Sequence, residues 1–283
     1  MLEVYKAIDA IVDRYGVELP ELYKRRDPNE PYRAEKEMWE DRFFKAMRAR
    51  FRAQYKIIKE RLSRTLPERK SVKIDTEWIL DNMDIDDPDT RKKLLQVFIG
   101  IMEEGTQQYA VNSELQIDWT QHNEDALQWV NEHYYNHLAG DPKLGGWLEE
   151  IDSAVSTSLG RELGNFVKEE AYTLGDVMAG IRGSALSDAR AHRIAVTEIT
   201  RVFSQADQLA GEAVAEEYPD VKVVKTWWTN NDALVCPICG PLHGVSVLVR
   251  DYFPGDFEGP PAHPNCRCWR STRTDILGEV ELG

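Results

Sequence analysis

No cysteine occurs in the first 235 residues; the four present, Cys236, Cys239, Cys266 and Cys268, crowd into the last fifth of the chain. That distribution disfavours a secreted disulfide framework, which is dense in short exported chains. There is no uninterrupted apolar run of about 18 residues, the length a helix needs to cross a bilayer. The first twenty residues carry acids where a signal peptide would carry an apolar block, so the expectation is a soluble protein made in a cytoplasm, with no membrane partner. Eighteen glycines and 13 prolines in 283 residues exclude a collagen-like or broadly disordered chain. Basic charge is also short: 35 Lys and Arg against 49 Asp and Glu leave a net charge of −14, which argues against a surface that coats nucleic acid generally.

The length suits roughly two domains at about 150 residues each. Charge is unevenly placed. Between residues 42 and 70, eleven Lys and Arg face only Glu60 and Glu68, so this stretch is a basic arm on an acidic body. Within it, Phe44, Met47, Phe51, Tyr55, Ile58 and Leu62 recur at intervals of three and four, which predicts a helix over Asp41 to Leu62 with one apolar stripe. Arg42, Lys45, Arg48, Arg50, Arg52, Lys56 and Lys59 around that stripe are candidate contacts to double-stranded DNA, against the simpler use of a solvated face.

Further helices are expected over Ile74 to Gln108, broken by the turn Asp84 to Asp89, and over Asn123 to Leu138 and Leu148 to Tyr172. Thr173 and Asp176 form the pattern of a capping box opening a short helix that Gly183 ends. Ser187 or Asp188 should cap a long helix stopping near Tyr218-Pro219. On that helix Arg193, Glu198 and Arg201 read as ion-pair partners rather than catalysts. After Pro219 the texture turns to β: Val221 to Trp228, Val245 to Val249 and Cys266 to Thr272 are three candidate strands among six prolines. The expected fold class is α+β, a long, mainly helical N-terminal part with a small zinc-stapled C-terminal β unit. The expected segments are a helical arm at 1–72, a helical domain at 73–218 and a β-rich zinc-binding domain at 219–283.

The strongest chemical signal is Cys236-Pro-Ile-Cys239-Gly together with His263-Pro-Asn-Cys266-Arg-Cys268. Two tight turns, each offering two donors three positions apart, build a tetrahedral site for zinc. Five candidates compete for four places: Cys236, Cys239, His263 and Cys266 come first, with Cys268 as substitute for either member of the second pair. The intervening loop, 240–262, is long enough for a hairpin. Four protein ligands leave no open position for water, so the zinc is expected to be structural and the protein no enzyme. A disulfide use of the same thiols would require later oxidation.

Enzymatic readings fit less well. A zinc deaminase needs His-x-Glu ahead of Pro-Cys-x-x-Cys; His122 and Glu124 are far upstream, and Val235 stands where the proline is required. An HNH-type nuclease would have only His243 and His263 to draw on. A zinc-dependent nuclease or hydrolase is the alternative. His133 and His137, four apart on a predicted helix, lack an evident third ligand beyond Glu132 and read as exposed histidines.

The ordered set Arg190-Ala-His-Arg-Ile-Ala-Val-Thr-Glu198 with Arg201, then Lys225-Thr-Trp227, Asp232, Cys236-Pro-Ile-Cys239-Gly-Pro-Leu-His-Gly244, and Pro260-Pro-Ala-His263-Pro-Asn-Cys266-Arg-Cys268-Trp269 resembles the phage minor head proteins of the Mu F-like type, also called head morphogenesis proteins. The resemblance runs from about Ala154 to Trp269. It implies a low-copy structural protein of the virion, in the interior of the head near the portal and made in the host cytoplasm. It further implies portal protein and major capsid or scaffold proteins as partners, and a role in head assembly, DNA packaging or genome delivery. Residues 1 to about 120 lie outside the resemblance.

Overall fold

The computed structural model describes residues 27, 29–30, 32–65, 96–97, 99–103, 124, 128, 155–163, 165, 173–230, 232 and 235–275. Their elements are α1 (Arg33–Thr65), α2 (Leu174–Gly183), α3 (Asp188–Glu217), β1 (Lys222–Trp228), β2 (Ser246–Leu248) and β3 (Trp269–Asp275), with a 3-10 turn at Gly240–Leu242. A mostly helical N-terminal part and a small C-terminal antiparallel sheet thus make the α+β class expected from the sequence. The chain divides into two compact units, one of Met1–Asp41, Val97–Val130 and Ala195–Gly283, the other of Arg42–Gln96 and Asn131–Ile194. No described helix is long and apolar enough to cross a membrane.

In the second unit, α1 buries Phe43, Met47, Phe51, Ile58 and Leu62. The expected stripe is therefore rotated by a fraction of a turn: Phe43 and Gln54 are buried where the sequence suggested Phe44 and Tyr55. At 100° per residue, Arg50 falls two turns after Phe43 on this inward face and is fully buried. Arg48 reaches Asp188 at 2.8 Å within the same unit. Helix α2 has the capping box predicted for it: the Asp176 amide donates to Thr173 Oγ1 at 3.1 Å, and the Thr173 amide donates to the Asp176 carboxylate at 2.8 Å. For α3 the cap is Ser187, whose Oγ accepts the Arg190 amide at 3.2 Å. The helices expected over Ile74 to Gln108, Asn123 to Leu138 and Leu148 to Tyr172 lie largely outside the described residues; 96–97, 99–103, 124, 128, 155–163 and 165 are helical.

In the first unit the three strands form one sheet in the order β2-β1-β3, antiparallel throughout. Loop 240–262 does not close as a hairpin of its own. Its strand β2 pairs with β1, with Thr226 opposite Ser246, and only Phe253 and Phe257 bridge within the loop. The central strand β1 is buried on both faces, which explains why Lys-Val-Val-Lys-Thr-Trp-Trp has no polar alternation. Val223, Lys225 and Trp227 share one face by the two-residue period of a strand. Val223 clusters with Ala210 and Val214 of α3 and with Val249. Gly211 permits this close approach, because a Cβ there would meet Thr272 Cγ2 at 2.8 Å and Val249 Cγ2 at 2.9 Å.

Gln208 links α3 to the sheet. Gln208 Nε2 donates to the Val249 carbonyl at 2.7 Å, while its Oε1 accepts from Arg270 Nη1 at 2.6 Å and Lys225 Nζ at 3.2 Å. Lys225 also donates to the Glu258 carbonyl at 2.9 Å. Burial lowers its pKa to about 8, with the Arg270 charge acting in the same direction.

Candidate metal centre

The sheet register brings the two donor turns together. Trp228, the last residue of β1, pairs with Trp269, the first of β3, so the chain leaving β1 and the chain entering β3 emerge at the same end of the sheet. Cys236 and Cys239 lie on the first segment, Cys266 and Cys268 on the second. The first turn closes through the Gly240 amide on the Cys236 carbonyl at 2.9 Å and the Cys239 amide on Cys236 Sγ at 3.3 Å. The second closes through the Cys266 amide on the His263 carbonyl at 3.2 Å, with Asn265 in the left-handed region at φ 59°. Trp227 and Phe253, edge to face with centroids 5.3 Å apart, join Cys239, Leu242, Val247, Cys266 and Cys268 in the surrounding core.

All five expected donors are drawn into this place, and the four thiols are unbridged. Cys236, Cys239 and His263 offer ligand atoms within 4.8 Å of one another, as do Cys239, Cys266 and Cys268, so Cys239 belongs to both triplets. His263 Nε2 lies 3.0 Å from Cys236 Sγ and 3.4 Å from Cys239 Sγ; Cys239 and Cys266 sulfurs are 3.8 Å apart. A tetrahedral zinc with Zn–S about 2.3 Å and Zn–N about 2.0 Å sets two sulfur donors about 3.8 Å apart and a sulfur and a nitrogen about 3.5 Å apart. The Cys239–His263 and Cys239–Cys266 separations match such an ion, the Cys236–His263 pair would open by about half an ångström, and Cys266 would close up on the first triplet, which it joins only through Cys239. The imidazole is oriented for the task. His263 Nδ1 donates to the Pro264 carbonyl at 2.8 Å, which leaves Nε2 as the lone-pair nitrogen facing the sulfurs.

The protonation pattern of the metal-free cluster follows from its hydrogen bonds. Hydrogen bonding from Cys239 lowers the Cys236 pKa to about 4 against the opposing effect of burial. Cys266 is likewise held well below the usual thiol range by Cys239 and Cys268. Cys239, set among Cys236, Cys266 and Cys268, is pushed up and keeps its proton. For His263 burial favours the neutral ring, but the hydrogen bond to Cys236 and the negative charge of Cys266 outweigh it and raise the pKa to about 9.

Residues outside the donor set brace it. Asp232 accepts both terminal nitrogens of Arg267 at 2.8 Å each, and Thr197 Oγ1 of α3 accepts the Asn265 amide at 2.8 Å. The sequence marked Asp232 and Arg267 only as members of an ordered motif, with no role; an acid and an arginine 35 residues apart carry no local signal. Glu198 and Arg201 form the expected i,i+3 ion pair, at 3.5 Å. His243 belongs to neither metal cluster: it is exposed, its Nδ1 accepts the Thr229 amide at 3.1 Å, and its ring packs edge-on against Trp228. The nuclease reading thus loses its second histidine. His133 and His137 lie outside the described residues.

Residues 150–271 match the family model described as Phage Mu protein F like protein. Over this stretch, somewhat under half of the chain, the sequence is similar to that family. The matched stretch holds all five donors, Asp232, β1, β2 and the first residues of β3, and the family is one of structural phage head proteins. No curated protein and no solved structure gives a significant match to the chain.

Among the DNA-contact candidates on α1, Arg42, Lys45, Arg52, Lys56 and Lys59 are exposed and Arg48 is half-buried. Arg50 is a correction: its place on the apolar face removes it from any surface that could meet a phosphate.

Proposed function

We propose that this chain is a head morphogenesis protein that docks on the portal inside the phage capsid and acts in head assembly and in packaging or delivery of the DNA. The observation that carries the reading is the Mu F-like match over a region that gathers five Cys and His donors able to hold a metal ion. In this reading Cys236, Cys239, His263 and Cys266 hold one zinc ion, with Cys268 in reserve beside Cys239 and Cys266. The ion supplies cross-linking: it ties the turn after β1 to the turn before β3 at one end of the three-stranded sheet. Four protein donors leave no place for a reacting water, so the role is structural.

The exposed basic face of α1 serves as a secondary contact to packaged double-stranded DNA. Arg42, Lys45, Arg52, Lys56 and Lys59 share one side of the helix, opposite its buried stripe. Portal and major capsid or scaffold proteins are the protein partners. Affinity purification of the tagged chain from infected cells tests the proposal: co-purification with portal and capsid proteins is expected, and recovery of the chain free of particle components would overturn it.

A further inference from the structure

The two donor turns are separated by more than twenty residues, and an ion binds them more tightly when they already face each other at close range. Outside the donor set itself, Asp232 reaches both. Asp232 lies four positions before Cys236, and its carbonyl accepts the Val235 amide at 3.2 Å, tying it to the residue that enters the first turn. Its carboxylate takes both nitrogens of Arg267, the residue between Cys266 and Cys268. The pair is largely shielded, with Arg267 10% and Asp232 28% exposed at the side chain, so solvent screens it less than an open surface pair. A two-bonded arginine and carboxylate also fixes orientation, which a single point contact does not.

We propose that Asp232 is a positioning residue for the metal centre: through Arg267 it holds the two donor turns at ion-binding separation before any ion arrives. Thr197 supports the second turn from α3 through the Asn265 amide, and His263 of the same turn is set by Pro264. Asp232 is the brace that spans both halves. The inference rests on the reading that these donors bind zinc.

The test uses the full chain, stripped of metal, with retention of fold checked by far-ultraviolet circular dichroism. Zinc affinity is measured by competition with a chromophoric chelator, and the coordination geometry by cobalt(II) absorption. Asp232→Asn and Arg267→Lys should each weaken zinc binding about 10–100-fold, the usual effect of removing an outer support of a metal ligand. Asp232→Glu should recover part of the loss, and the double variant should be little worse than either single one, since both break the same link. Arg267→Lys keeps the charge and loses the paired geometry, so it remains informative if Asp232→Asn fails to fold. Wild-type zinc binding with both single variants within twofold of it and an unchanged cobalt spectrum would overturn the positioning role alone. A wild-type chain that takes up no zinc or cobalt would overturn the metal reading and this inference with it.

Discussion

Acidification should release zinc from this protein with a steepness set by the proton inventory of the empty cluster. Cys236, at about 4, and Cys266, well below its usual value, are thiolates at neutral pH, whereas Cys239 keeps its proton and His263, at about 9, is an imidazolium. An ion taking these four donors must therefore displace two protons, one from a sulfur and one from a ring nitrogen. Protons compete with the metal, so affinity rises with pH. Between about pH 4 and about pH 9 the apparent affinity should change about 100-fold per pH unit, or about 2.7 kcal/mol, since one proton per pH unit corresponds to about 1.4 kcal/mol. From pH 8 to pH 6 the loss is then about ten-thousand-fold. Chelator competition across this range, corrected for the chelator's own protonation, gives the slope; calorimetry in two buffers of different ionisation enthalpy gives the proton count independently. A slope near zero would refute the donor assignment, and a slope near four would refute the protonation pattern drawn from the hydrogen bonds.

Because Cys239 is common to both donor triplets, Cys239→Ser should abolish stoichiometric zinc binding, while Cys268→Ser should retain about one zinc per chain by elemental analysis; the reverse outcome would exchange their roles. Replacing Lys45, Arg52, Lys56 and Lys59 by Gln should remove salt-sensitive binding to duplex DNA, in which each phosphate contact contributes a slope of about 0.9 in log affinity against log salt. Binding that survives those four changes, or that ignores salt, would place the DNA contact elsewhere or dismiss it.

Much of the centre was legible before any coordinates, because its signals are local. Cys-x-x-Cys and His-x-x-Cys each turn within four residues, Thr173 and Asp176 cap within one helical turn, and the β-branched and aromatic run Val221 to Trp228 bounds β1 to within a residue. Charge segregation and the helical period of α1 were equally plain. What the sequence blurred was phase. Phe43 and Phe44 are adjacent aromatics, and which of them turns inward depends on what packs against the helix; that choice also carried Arg50 into the interior.

The sequence by itself determined that five soft or imidazole donors exist, how they are paired, and that an acidic chain bears one basic arm. Only the tertiary structure decided that the pairs meet. The register placing Trp228 opposite Trp269 sets both donor turns at one end of the sheet, and Asp232 joins Arg267 across a separation that no local pattern encodes. The physical reason is range: turns and caps form from hydrogen bonds a few residues long, whereas a shared metal site is a long-range contact that exists only once the strands have paired.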